Sequence, residues 1–191
     1  MSLNIALLYG SVRQNRKGIH VARFVAQQVE ARGHTATLID PLELPLPLLD
    51  KMYKEYPAGE APENMEKIAQ ILTKADGFLV VSGEYNHSVP PALKNMLDHF
   101  QKEYFYKPSG LVTYSPGAFG GARVAMHLRN LTGELGMPSI PSIMYFSKIG
   151  QVFNSEGKLQ DEAYLKRITR FLNEFDWYAE ALQKQRALGT P

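Results

Sequence analysis

Five short apolar runs alternate with stretches whose apolar residues recur every three or four positions, and this alternation narrows the possible folds more than any other feature of the chain. The runs cover residues 3–9, 35–39, 77–82, 110–115 and 142–146. They are rich in Val, Ile, Leu, Phe and Tyr, and several are apolar throughout rather than at every second position. That is the pattern of strands buried on both faces. Between them, Ile19, Ala22, Ala26 and Val29 make one helical stripe, ended by Gly33. Met65, Ile68, Ala69 and Leu72 make a second. Leu93, Met96, Leu97 and Phe100 make a third, with Pro90 and Pro91 in its first turn. Val124, Leu128, Leu131 and Leu135 follow, and the longest stripe runs through Leu165, Ile168, Leu172, Phe175, Ala179 and Leu182. Strict β–α alternation predicts an α/β fold, a parallel sheet with helices on both faces. No Gly/Ser-rich or Pro-rich linker divides the chain, and its 191 residues suffice for one domain spanning 1–191.

Composition removes several classes of function. There is no cysteine, which excludes disulfides, thiolate nucleophiles and cysteine metal sites and fits a reducing compartment. Lys and Arg total 21 against 19 Asp and Glu, a net charge of +2 that argues for no nucleic acid and no acidic membrane surface. The apolar run at 5–9 has no basic segment before it and reads as a strand, not a signal peptide. No run approaches the length of a membrane span. The expectation is a cytoplasmic protein with no membrane partner. His20, His34, His99 and His127 are scattered, so no metal site is expected, and Asp98 with His99 reads as surface.

In an open parallel sheet, ligands bind beyond the carboxyl ends of the strands. Three loops there carry chemistry. After the first run comes Gly10-Ser11-Val12-Arg13-Gln14-Asn15-Arg16-Lys17-Gly18. A hydroxyl, three cations and the amides of a helix N-terminus suit an anion, naturally a phosphate. A solvated basic loop fits the same residues. The loop is neither a GxxxxGK[ST] phosphate loop nor a GxGxxG fingerprint, so a phosphate monoester suits it better than a pyrophosphate. After the third run comes Ser82-Gly83-Glu84-Tyr85-Asn86-His87-Ser88-Val89-Pro90-Pro91. Tyr85 offers a flat face, Asn86 an amide, and Ser88 a helix cap. A turn shaped by Gly, Asn and Pro is the alternative. After the fourth comes Ser115-Pro116-Gly117-Ala118-Phe119-Gly120-Gly121-Ala122-Arg123, whose glycines let backbone approach a ligand closely. Residues 41–62, rich in proline, read either as a wall of the ligand site using Tyr53 or Tyr56, or as a stiffened surface excursion.

With these loops in view, nearly the whole chain resembles the NADPH-dependent FMN reductases, a flavodoxin-like family that includes quinone, azo and chromate reductases. GSVRQNR is close to the family's G-S-x-R phosphate motif, GEYNHS to its P-x-Y-N signature, and SPGAFGG to its S-x-G-x-x-G-G segment. The resemblance implies that Ser11, Arg13, Asn15, Arg16 and Lys17 bind the FMN phosphate. It implies that Glu84, Tyr85, Asn86 and His87 lie beside the isoalloxazine, and that Ser115, Gly117, Gly120 and Gly121 line the ring. Gly83 departs from the pattern, standing where the family usually has proline.

The resemblance further implies a strand order of 2-1-3-4-5, and a homodimer or homotetramer with the flavin near a subunit interface. NADPH, or NADH, would donate electrons, and a small molecule such as a quinone, azo compound, chromate or free flavin would accept them. The flavin then carries the chemistry and no side chain is an obligatory catalyst. A non-enzymatic flavodoxin-type electron carrier is the alternative, although such carriers tend to be strongly acidic. A phospho-receiver is disfavoured because no acidic cluster ends the first and third runs.

Overall fold

The computed structural model describes residues 2–191. Strands β1 (Asn4–Tyr9), β2 (Thr35–Ile39), β3 (Gly77–Gly83), β4 (Ser109–Tyr114) and β5 (Ser139–Phe146) form one parallel sheet in the order β2-β1-β3-β4-β5. This is the flavodoxin-like order that the resemblance implied. Helices α1 (Gly18–Glu30) and α6 (Ala163–Leu188) cover one face. Helices α2 (Glu63–Lys74), α3 (Pro91–Asp98) and α4 (Ala122–Glu134) cover the other, and a short helix α5 (Ile149–Val152) follows β5.

Two cores explain why the strands read as continuous apolar runs. On β1, Ile5, Leu7 and Tyr9 enter the core beneath α1 and α6, while Ala6 and Leu8 enter the core beneath α2 and α3. On β3, Leu79 and Val81 go one way and Phe78 and Val80 the other. Successive residues of a strand point to opposite faces, so a strand covered on both sides is mostly apolar, and the buried Ser82, Ser109 and Thr113 of β3 and β4 each donate a hydroxyl to a backbone carbonyl. Truncating a fully buried leucine such as Leu79 to alanine would cost about 2–5 kcal/mol.

The structure departs from the sequence expectation at several places. Strand β5 begins at Ser139, not 142, because Pro141 is tolerated on an edge strand, where its missing N–H is not needed; the register against β4 shifts between Ser109 and Leu111. The buried face of α1 takes in Val21, Phe24 and Val25, since this helix packs against both the sheet and α6, while Ile19 and Ala26 are only partly buried. On α6, Leu165 is exposed and Phe171 fills the core instead. His99 is fully buried rather than at the surface, with Nδ1 2.7 Å from the Asn95 carbonyl oxygen.

In the 41–62 segment, Tyr53 and Tyr56 turn inward against the α2–α3 core, and Tyr53 Oη donates to Glu66 at 3.0 Å. Those two rings are committed to packing. No helix among the described residues is long and apolar enough to cross a membrane.

Candidate active site

The right-handed β–α crossovers deliver the loops after β1, β3 and β4 to one edge of the sheet. In the first loop, Gly10 N–H continues the ladder to the Val81 carbonyl at 3.1 Å, and the chain then turns away. Ser11 is buried, and its Oγ lies 3.4 Å from both Arg13 N and Tyr85 Oη. Asn15 adopts a left-handed conformation, φ 55°. Arg13 and Lys17 are exposed and enter no salt bridge among the described residues.

Arg16 is placed differently. Its Nη1 and Nη2 donate to the two carboxylate oxygens of buried Asp40, and Nη1 also reaches the Ser11 carbonyl at 3.0 Å. The hydrogen bond to Asp40 holds the guanidinium's pKa above its usual value. Arg16 therefore ties the loop to the end of β2. Beyond it, the N-terminus of α1 has no side-chain cap and no acidic residue in its first turn. Of its first amides, Ile19 and His20 already donate to the Arg16 and Lys17 carbonyls at 3.2 Å each, so this end offers the Gly18 N–H and a partial positive charge.

In the second loop, Tyr85 and Ser88 exchange backbone hydrogen bonds of 3.0 and 2.9 Å, and Asn86 (φ 49°) and His87 (φ 67°) form the exposed tip between them. This is the geometry of a tight hairpin turn, which Asn tolerates well. Ser88 does not cap α3; its Oγ lies 3.3 Å from His127 Nδ1. The Glu84 carboxylate leaves the turn and accepts the N–H groups of Arg123 and Val124, each at 3.1 Å, capping α4.

In the third loop, Ser115 Oγ donates to the Gly117 carbonyl at 3.2 Å, and Lys148 N–H donates to the same oxygen at 2.9 Å. Gly120 (φ 60°) and Gly121 (φ 81°) are buried. A Cβ on Gly121 would stand 3.0 Å from Thr113 Cβ, and one on Gly120 3.1 Å from Ser147 Oγ. These two glycines serve close packing of the loop onto β4 and β5. Ser115 and Gly117 remain at the rim.

The first two loops, with Tyr114 and Pro116, wall a cleft of about 470 Å³. A second cleft of about 670 Å³ opens on the other side of the first loop, against Leu42, Ile149, Phe153 and Asn154. Sequence reasoning passed over Tyr114 and the 149–154 segment. The loop after the fifth run, which must reach the same edge, was the available signal for the latter.

The sheet order, the uncapped helix end after β1 and the turn after β3 define a flavodoxin-like protein built to hold a mononucleotide. FMN fits this arrangement. Its phosphate matches an open helix end beside two free cations and the Ser11 hydroxyl, and the nearby Tyr9 hydroxyl is buried without a hydrogen-bond partner. The chain belongs to the NADPH-dependent FMN reductase family, whose sequence profile matches residues 3–151. It is 30% identical to a quinone reductase of Pseudomonas putida over 195 residues, covering 97% of each chain. It is 28% identical to a quinone reductase of Escherichia coli, covering 95% of this chain and 97% of that one. Its fold matches the flavoenzyme NAD(P)H:(acceptor) oxidoreductase FerB of Paracoccus denitrificans with a TM-score of 0.75, at 22% identity over 95% of this chain and 98% of the other. The protein is an FMN-dependent NAD(P)H oxidoreductase, not an electron carrier of the flavodoxin type.

Proposed function

We propose that this chain passes electrons from a reduced nicotinamide nucleotide to a quinone through FMN bound at the carboxyl edge of the sheet. The observation that carries it is the uncapped N-terminus of α1 with Arg13 and Lys17 beside it, facing the Tyr85–Ser88 turn. When bound, FMN would supply the two-electron redox chemistry that no side chain here can provide.

The protein's part is to bind and orient. Ser11, Arg13 and Lys17, with the Gly18 N–H, would hold the phosphate. Asn15 supplies the left-handed turn, and Arg16 fixes the loop by its grip on Asp40. The Tyr85-Asn86-His87 turn supports one side of the ring system, its backbone set by the paired bonds between Tyr85 and Ser88. Glu84 holds that turn against α4, and Gly120 and Gly121 let the third loop fold down so that Ser115 and Gly117 face the ring. Residues 1–191 act as one flavin-binding domain. The absence of cysteine and the family's chemistry support a cytoplasmic setting, and the family resemblance supports a homodimer or homotetramer.

The experiment is an anaerobic visible spectrum of purified protein with FMN. Flavin bands that shift on binding, bleach with NADPH or NADH and return on adding a quinone are expected. Binding without bleaching by either nucleotide rejects the reductase reading.

A further inference from the structure

Tyr114, at the carboxyl end of β4, lays its ring across Gly83 and onto the first residue of α1. A Cβ on Gly83 would lie 3.1 Å from Tyr114 Cε2. A Cβ on Gly18 would lie 2.1 Å from Tyr114 Cζ and 2.2 Å from its oxygen, well inside contact distance. Three strand and helix ends thus share one constraint: positions 18 and 83 have no side chain, and the phenol fills the space. The proline usual in the family at position 83 would carry a Cβ into this ring, which gives the departure noted in the sequence a physical reason.

The phenol reaches a place where the Tyr9 and Ser11 hydroxyls lie close to the first residue of α1. The Tyr9 hydroxyl, fully buried, faces Tyr114 and Ser11 but meets neither at hydrogen-bond geometry and has no other partner. The helix end against which Tyr114 rests is uncapped. Ser11 and Tyr114 both line the cleft between the first and second loops. Burial pushes the Tyr114 phenol far above its usual pKa, so the group stays neutral and keeps its proton. Three hydroxyls, one of them buried without a partner, and the Gly18 N–H at a helix N-terminus suit a multiply accepting anion.

We propose that Tyr114 is a ligand of the FMN phosphate, its hydroxyl donating to a phosphate oxygen at the N-terminus of α1, and that Gly18 and Gly83 are side-chain-free to admit it. This assignment rests on the flavin reading of the site and adds a residue to it from outside the three sequence motifs. It also makes a distinction within flavins, because only a phosphorylated flavin engages Tyr114.

The test is equilibrium binding to the apoprotein, followed by quenching of flavin fluorescence, with FMN and with riboflavin, which lacks the phosphate. In Tyr114→Phe the ring is kept and the hydroxyl removed. The FMN Kd should rise about tenfold or more, the scale of one charge-assisted hydrogen bond, with the riboflavin Kd unchanged. Gly18→Ala, which displaces the ring while keeping the tyrosine, should give the same selective loss, with circular dichroism confirming the fold. Equal weakening of both flavins, or unchanged FMN affinity in Tyr114→Phe, overturns the assignment. If the wild-type protein takes up neither flavin, the reading of the whole site falls and the assignment with it. Selective FMN loss in both variants establishes it.

Discussion

Arg16 clasps Asp40 with both terminal nitrogens, Nη1 on Oδ1 at 2.5 Å and Nη2 on Oδ2 at 2.7 Å, and Asp40 is only 1% exposed. The guanidinium also stands over the Tyr9 ring, 5.4 Å from its centroid. Two-pronged geometry and burial make this pair more than a surface salt bridge. It fastens the first residue beyond β2 to the loop after β1, so the anion-binding loop is held from behind.

Arg13 and Arg16 should therefore behave differently when truncated. Arg13→Ala should weaken FMN binding by about 1.5–3 kcal/mol with little change in stability. Arg16→Ala leaves a buried carboxylate without its partner and should destabilise the fold by about 2–3 kcal/mol, below the value for a fully enclosed pair because Arg16 keeps some exposure. Flavin titration and urea unfolding of both variants check this. Equal effects of the two on stability would contradict it.

Glu84 accepts two amides at the start of α4, so its removal should act on that helix. Glu84→Ala should cost about 1–2 kcal/mol of unfolding free energy, the worth of a charged cap, and Glu84→Gln less, since one oxygen remains to accept. Denaturant midpoints compare the two, and amide exchange at Arg123 and Val124 should quicken in the alanine variant.

Gly121→Ala meets two obstacles at once: a left-handed backbone, φ 81°, and Thr113 Cβ 3.0 Å away. The expected loss is about 1–3 kcal/mol. It should appear as a lowered melting temperature whether or not flavin is present. A flavin-specific loss with unchanged melting of the apoprotein would instead put the ligand at this glycine.

Lys107 Nζ donates to the carbonyls of Leu72, Thr73 and Glu103 at 2.7, 3.0 and 2.9 Å, closing the end of α2. Lys107→Met leaves these groups short of donors and should destabilise the protein by about 2–3 kcal/mol at neutral pH. Burial and the Arg186 charge pull the ammonium's pKa down to about 8. The unfolded chain, titrating near 10.4, holds the extra proton between those values. Protons are then released on folding, so this group's contribution to stability rises with pH from about 8 to about 10.4 and is flat below. The stability difference between wild type and Lys107→Met, measured by denaturant unfolding at several pH values, should widen over that range.

The fold was legible because the strands and helices each carry a local period. Ile5, Ala6, Leu7 and Leu8 read as a strand covered on both sides, and Met65, Ile68, Ala69 and Leu72 as one helical face; all are buried as that pattern requires. The three ligand loops were legible because β–α alternation forces them to one edge. Misplacements arose where a local rule met a tertiary exception, such as Pro141 on an edge strand and buried His99, whose ring nitrogen finds a carbonyl one helical turn back.

By itself, then, the sequence determined the parallel sheet, the edge where ligand chemistry collects and the family of the chain. Only the tertiary structure decided what each polar group in those loops does. Arg16 meets Asp40 24 residues away, Glu84 meets Arg123 39 residues away, and the Tyr114 ring lies on Gly18 from the carboxyl end of a strand two places across the sheet. Hydrophobic period is a property of neighbouring residues and is written along the chain. Pairing of charges, caps and close backbone approaches depends on which distant segments folding brings together, and no local pattern encodes it.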